Sequence, residues 1–436
     1  MLHSTKHMRN TPLLHVFGKS IYAALGLERR CYIERVEKVL ELLSCNKLDS
    51  FKEAFFLDQE DTQVLDKWVH FAITKEAQKL DLQIYRGPRD DNLYIFPHWV
   101  LADLNVSTLK HLALSLCALK PPAGFDRFVQ LTTLCLRGVE VDPDFMAHLF
   151  SACSLLENLT LYSCDVSSNL IIGPSLHLHD LKVLGCYLFG KIEIDAVNLS
   201  SLEYVGYRNE ILMRTPKLVT FFYMILDQDL LPNVLTQITS CPELSTLHLL
   251  ITDDVHHITQ NFPTLRNLKQ LKLDILYFEQ DDDPLKFELG SVLNILRAAL
   301  LLEDFVMTVR AKDYQGDMRN LSTFSHNHLR RIKMQGFQGK WFEIEFAISI
   351  LNIATKLEVM VIDPHGSYYK GDGSWCELTC CYQGGNEDEN PTKVRHHIRE
   401  DENVDKVSYE LWQERGRAPV LERLKDVKTD AKVIIL

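Results

Sequence analysis

Residues 156–161 read L-E-N-L-T-L, and the same L-x-x-L-x-L phrase returns as L-K-H-L-A-L at 109–114, L-T-T-L-C-L at 131–136, L-S-T-L-H-L at 244–249 and L-K-Q-L-K-L at 268–273. Self-similarity at a period of roughly 20–29 residues marks a leucine-rich-repeat solenoid. The last two leucines of each phrase stand two apart, so on a short strand they share a face, while the first enters from the preceding turn. One repeat cannot bury that face alone. Neighbours stacked in parallel make a continuous core, and a helical or irregular return segment closes each coil. The expected fold is an α/β leucine-rich-repeat solenoid with a C-terminal cap.

Further phrases begin at Leu181, Leu199, Leu218, Leu302, Leu329 and Leu357, so that successive starts from Leu109 onward lie 18 to 34 residues apart. Some are degraded, with Phe221 and Tyr223 standing for leucines in one and Phe305 and Met307 in another. Two weaker phrases precede the series, one on Phe51, Ala54 and Phe56, the other on Ala77, Leu80 and Leu82. The returns are predicted as helices over 142–152, with an acidic cap and a first-turn proline, and over 229–240, with Leu231, Val234, Leu235 and Ile238 on one side. Cys153 and Cys241 then stand as small buried hydrophobes at the helix-to-strand corner.

Composition narrows the function. With 47 Lys and Arg against 59 Asp and Glu, the net charge is −12. Such a chain has no basic stripe to neutralise phosphates, which argues against nucleic acid. The acidic runs at 281–283 and 387–389 are expected to be solvated loops. Eleven scattered cysteines favour reduced thiols in the cytoplasm or nucleus. The sequons at Asn105, Asn158, Asn198 and Asn320 are accordingly discounted. His15 and Lys19 break the apolar stretch of a would-be signal peptide, and no run approaches the ~18 apolar residues of a membrane span.

Three stretches together resemble the plant F-box/leucine-rich-repeat proteins, particularly those with a C-terminal FBD domain. They are I-E-R-V-E-K-V-L at 33–40 leading into 48–55 and 65–72, the repeat series with paired cysteines such as Cys153 and Cys164, and H-L-R-R-I-K-M-Q-G-F-Q-G at 328–339 followed by 342–355 and 357–364. The resemblance implies the target-recognition part of an SCF-type ubiquitin ligase, whose adaptor and cullin would be partners beside an unnamed protein target. The Leu-Pro and Ser-x-x-Trp-x-x-Trp phrases of an F-box are not found in this sequence, so a stand-alone scaffold or decoy is the alternative expectation. The chain divides into an N-terminal segment (1–32), the solenoid (33–322), FBD-like last repeats (323–364), and a tail (365–436). The tail is expected to be partly mobile, with helical spacing over 407–424 interrupted at Pro419 and a buried capping strand over 431–436.

Catalysis is not expected. Gly371-Asp372-Gly373 reads as a turn, and Cys376, Cys380 and Cys381 with His396 and His397 fit no zinc spacing. His256 and His257 beside Asp253 and Asp254 read as a solvated loop. No cofactor is called for. Function therefore falls to the outward positions of the strands, where the candidate target-binding residues are Lys110, His111, Thr133, Arg137, Asn158, Thr160, Tyr162, Thr246, His248, Gln270, Lys272 and Asp274, with Ala113, Cys135 and Leu250 beside them.

Overall fold

Each complete leucine phrase forms a strand with its leucines inward. The computed structural model describes residues 21–43, 47–56, 61–85, 93–102, 108–122, 124–165, 169–174, 177–186, 190–206, 210–225, 230–251, 262–276, 292–310, 324–377, 412 and 417–436. The chain divides into two units, Met1–Cys153 and Ser154–Leu436. The expected boundary at residue 32 falls instead inside a helix, Ile21–Leu42.

In the first unit the strands Ser50–Phe56, Lys79–Tyr85, His111–Ser115 and Thr133–Arg137 pair in parallel in that order. In the second, parallel pairing runs through Asn158–Tyr162, Asp180–Leu184, Ser201–Gly206, Thr220–Ile225, Thr246–Ile251, Gln270–Leu276, Asp304–Arg310, Arg331–Gln335, Val359–Asp363 and Lys432–Ile435. Register brings Leu181, Leu202, Phe221, Leu247 and Leu271 side by side, and all five are buried. Truncating one such leucine to alanine costs about 2–5 kcal/mol. Backbone bonds repeat with the same registry: the Ser200, Val219 and Ser245 carbonyls each accept two N–H groups from the next repeat.

Return length decides return structure. From Leu218 to Leu244 and from Leu131 to Leu156 there is room for helices, Leu231–Ile238 and Pro143–Ala152. Asp142 accepts from the Phe145 N–H at 3.1 Å as the expected cap. The shorter returns after Leu156, Leu178 and Leu199 hold strands, Leu170–Ile172, Lys191–Asp195 and Glu210–Arg214, the middle one pairing with both others. The phrase expected from Leu181 begins three residues earlier, since Leu181 stands beside Leu159 and Leu202, the second leucines of their phrases. A strand rises about 3.3 Å per residue and a helix 1.5 Å, so only the strand spans the repeat in so few residues. Gln237 satisfies one edge of this outer sheet, accepting from Met213 N–H at 2.7 Å and donating to Ile211 O at 2.8 Å. A similar three-stranded set in the first unit joins Tyr94–Ile95, Cys117–Leu119 and Glu140–Val141.

The ends are closed differently. Phe51 and Glu53, not Ala54, face inward on the first strand and lie beside Leu80 and Leu82, so the phrase built on Phe51, Ala54 and Phe56 is displaced by three residues, an odd number that exchanges the two faces. Glu53 occupies a leucine position, and Tyr32 of the Ile21–Leu42 helix donates to its carboxylate. At the other end Lys432–Ile435 pairs onto Val359–Asp363 as expected, though half-exposed rather than buried. The indole N–H of Trp412 donates to Leu436 O at 2.8 Å. Pro419 lies in the first turn of the Arg417–Leu424 helix, a position that tolerates proline; of the expected helical stretch 407–424, residues 407–411 and 413–416 lie outside those described. Cys153 and Cys241 are buried at their corners, the Cys153 thiol donating to Phe128 O. Among the described residues no helix is long and apolar enough to cross a membrane.

The last repeats are held by two buried polar side chains. His326 Nε2 donates to Ala299 O at 3.0 Å while its Nδ1 accepts from Leu329 N–H at 3.0 Å, which requires the neutral ring. Glu343, at the start of the Trp341–Ile353 helix, accepts from Gln338 N–H at 3.0 Å and Lys340 N–H at 2.9 Å. Burial pushes its carboxyl up to about 7 against those bonds. An unfolded chain ionises this group near pH 4.5, so its contribution is full below that value and is lost as the pH rises through about 7. Denaturant titrations across this interval should show the difference in stability between parent and Glu343→Gln changing with pH, the parent losing ground as pH rises; parallel profiles would contradict the assignment.

Candidate functional site

Parallel registry arranges the outward side chains in rows across each unit. In the first unit His111 and Thr133 share a row with Lys79, and Arg137 shares another with Gln83 and Ser115. The row between them carries Lys52, Asp81, Ala113 and Cys135. Lys52 Nζ stands 2.7 Å from Asp81, and the Gln83 amide donates to the same carboxylate. Burial holds His111 below the ordinary histidine range. Lys110 is exposed in the turn before its strand, its carbonyl receiving the Thr132 and Thr133 N–H groups.

In the second unit Thr246 and Gln270 share the first row, to which Asn158 belongs through Asp180. The middle row passes from Thr160 to Lys182, Glu203, Phe222, His248 and Lys272. Tyr162, Leu184 and, further along, Leu250 and Asp274 lie in the third. Tyr162 and Gln270 are exposed, and Asn158, Thr160 and Thr246 are half-buried.

The chain itself covers the centre of this face. Beyond the last repeat, where a mobile segment is expected, Ser367–Gly371 and Ser374–Glu377 pair as an antiparallel hairpin. The expected turn at Gly371-Asp372-Gly373 is its tip, with φ of +99°, +48° and +75°. A Cβ on Gly371 would approach Leu184 to 2.7 Å, so glycine is required there both for its backbone and for the close approach.

Glu203 is the anchor. It accepts from the Tyr369 hydroxyl at 3.1 Å and from the Asp372 N–H at 2.7 Å, and Lys182 Nζ lies 3.1 Å away. Lys182 also reaches Asp372 at 3.4 Å, and the Gly373 N–H donates to the Tyr369 oxygen at 2.8 Å. The Tyr369 ring packs on Phe222 and His248, with centroids 4.8 and 5.7 Å away, and on Trp375 at 5.1 Å. Lys272 Nζ sits 4.1 Å over the Trp375 ring, a cation–π contact. Beneath, His248 Nε2 is 2.6 Å from Asp274 Oδ2, and Lys272 Nζ is 3.4 Å from the same oxygen.

This geometry corrects part of the expected contact surface. Asp274 is 0% exposed, between Leu250 and Thr308, which are buried as well. It orders His248 and Lys272 and does not meet solvent. His248 and Lys272 keep only 13% and 15% side-chain exposure under the hairpin. Burial lowers the pKa of both, in opposition to Asp274 beside them. Burial also acts to lower that of Lys182, but Glu203, Asp180 and Asp372 outweigh it and the net shift is upward. Burial, together with Glu203, raises that of Tyr369.

Lys182, Glu203 and Phe222 were absent from the sequence candidates, although they hold the same place between inward residues as His248 and Lys272. Applying the alternation rule to the degraded phrases finds them. Tyr369, Asp372 and Trp375 carry no such signal. Cys380, Cys381, His396, His397, His256 and His257 lie outside the described residues. Among those described, no group of three His, Cys, Asp or Glu could hold a metal ion.

Removing the anchor should loosen the hairpin. Hydrogen bonds to a charged group contribute about 1.5–3 kcal/mol each, so Glu203→Ala should speed amide hydrogen exchange at Asp372 and Gly373 by at least ten-fold without melting the repeats. Unchanged exchange there would show that the carboxylate does not hold the hairpin.

The family model for the At1g61320/AtMIF1 LRR domain matches residues 40–400. The putative FBD-associated F-box protein At1g61330 of Arabidopsis thaliana is 23% identical over 341 residues, which is 70% of this chain and 73% of that protein. The Arabidopsis thaliana F-box protein At5g03100 is 29% identical over 154 residues, 35% of this chain, and the match spans 47% of that relative's length. Among solved structures, the crystal structure of a TDR receptor matches at 13% identity and a TM-score of 0.30, over 74% of this chain and 60% of that one. With the repeats in register and a family match running through nearly all of them, the chain belongs to the At1g61320/AtMIF1 LRR-domain family.

Proposed function

We propose that this protein binds a protein target on its outward strand rows and acts by binding, not by catalysis. The observation that carries the reading is the rows themselves. Each repeat adds outward side chains on a backbone fixed by its neighbours, and cross-strand pairs hold many of them in place. Asp304 accepts a forked pair of bonds from Arg331, and Lys333 Nζ lies 2.9 Å from Asp363. A pre-ordered polar face loses little side-chain freedom when a partner docks.

The target, in this proposal, is passed to an SCF-type ubiquitin ligase through its adaptor and cullin. The F-box names of two relatives support that step. We also place the protein in the cytoplasm or nucleus, a reading supported by buried thiols at Cys153, Cys186 and Cys241.

The test is an affinity pull-down of the full chain, tagged at its C-terminus, from plant extract with a proteasome inhibitor, followed by mass spectrometry. Adaptor, cullin and a reproducible target set are expected, with the targets diminished by charge reversal at Arg137 and Gln270→Lys. Targets without adaptor or cullin would leave a scaffold or decoy detached from ubiquitin transfer. Recovery of neither would overturn the binding reading.

A further inference from the structure

We propose that the middle row of the second unit, from Lys182 to Lys272, is a peptide-binding site whose built-in competitor is the Ser367–Glu377 hairpin. The partner is a protein segment carrying a tyrosine and, three residues later, an acid. It docks by displacing the hairpin. The inference rests on the reading of the strand rows as a protein-binding face, and names the chemistry that face accepts.

The hairpin already behaves as a ligand of the face. Its side chains at intervals of three, Tyr369, Asp372 and Trp375, meet a glutamate, a lysine and a second lysine that come from three different repeats. Aromatic anchors with a hydrogen-bonded charged centre are the composition of an interface hot spot, not of a repeat core. Trp375 remains 57% exposed, so its outer surface is not sealed as the inward leucines are.

The fit also leaves polar capacity unused. Beneath the hairpin the buried Lys272 Nζ meets the Asp274 carboxylate at a long 3.4 Å and the Trp375 ring, with donor capacity to spare, and Asp274 Oδ1 accepts no hydrogen bond from the described residues. A docking segment that brings an acceptor to Lys272 gains an interaction the hairpin does not supply, and this gain offsets the advantage of tethering. A tethered occupant competes at an effective concentration on the order of millimolar, so a free segment binds only in proportion to the fraction of open molecules.

The experiment uses the full chain and a fluorescein-labelled peptide of the hairpin sequence, S-Y-Y-K-G-D-G-S-W-S-E, with serine in place of Cys376. Gly371→Val should lift the hairpin, because its side chain would meet Leu184, and leaves every residue of the face unchanged. Tyr369→Ala with Trp375→Ala is the second opening variant, should the first fail to fold. Circular dichroism and thermal melting establish that the repeats are intact. The opened chain should bind the peptide at least ten-fold more tightly than the parent, and adding Glu203→Ala, or replacing the first-anchor tyrosine of the peptide with alanine, should remove at least that gain. Equal binding by parent and folded opened variants, or binding indifferent to Glu203, would overturn the proposal. If the peptide fails to bind while the parent chain still retains targets in the pull-down, this inference falls and the protein-binding reading stands.

Discussion

No repeat of this chain can bury its inward residues by itself, and the rest of the structure follows from that constraint. The inward rows exist only because each strand lies in register against the next, with one residue of each repeat directly beside its counterpart. Backbone and side chains obey the same spacing, as the paired N–H groups on Ser200, Val219 and Ser245 carbonyls show. The constraint is unmet at the ends, where a sheet edge exposes unpaired backbone. At one end a strand from the last residues of the chain covers Val359–Asp363 and becomes the outermost strand itself. At the other, a helix supplies Tyr32 to a glutamate that occupies a leucine position.

The same stacking gives the outward face its order. Side chains between the inward leucines are brought beside those of adjacent repeats, and polar groups then pair across strands as well as along them. Lys182 with Glu203 and His248 with Asp274 are such pairs. Only the second needs a fully buried carboxylate, and burial there outweighs attraction in setting the histidine's pKa. The face is therefore a fixed array and not a set of independent solvated residues. A short hairpin reads that array through one tyrosine, one aspartate and one tryptophan.

How much of this was legible in the sequence depends on the range of the interaction. The L-x-x-L-x-L phrases, the 142–152 and 229–240 helices and the cysteine corners are encoded within a few residues, and each has its structural counterpart. The first strand's phrase was displaced by three residues because Phe51, Ala54 and Phe56 imitate it, while one of the true inward residues, Glu53, is polar and becomes acceptable only with Tyr32 from a distant helix. The strand returns follow from the short steps after Leu156, Leu178 and Leu199, a signal obscured where the phrase that starts at Leu178 is read from Leu181. Asp274 looked like a surface acid because alternation places it outward; its burial comes from neighbouring repeats. The polar contacts that seat the hairpin on the strands join residues 166 to 190 positions apart, and no local pattern announces them.

A tail folded back onto the face of its own repeats is the least expected part of the molecule, and it governs what else that face can hold. A double-mutant cycle between Tyr369→Phe and Glu203→Gln, read by equilibrium unfolding in denaturant, isolates that contact most directly. The account predicts a coupling energy of about 1–3 kcal/mol, as for a hydrogen bond to a charged acceptor with its dependent neighbours. Strict additivity of the two substitutions would mean that the hairpin is not seated on Glu203.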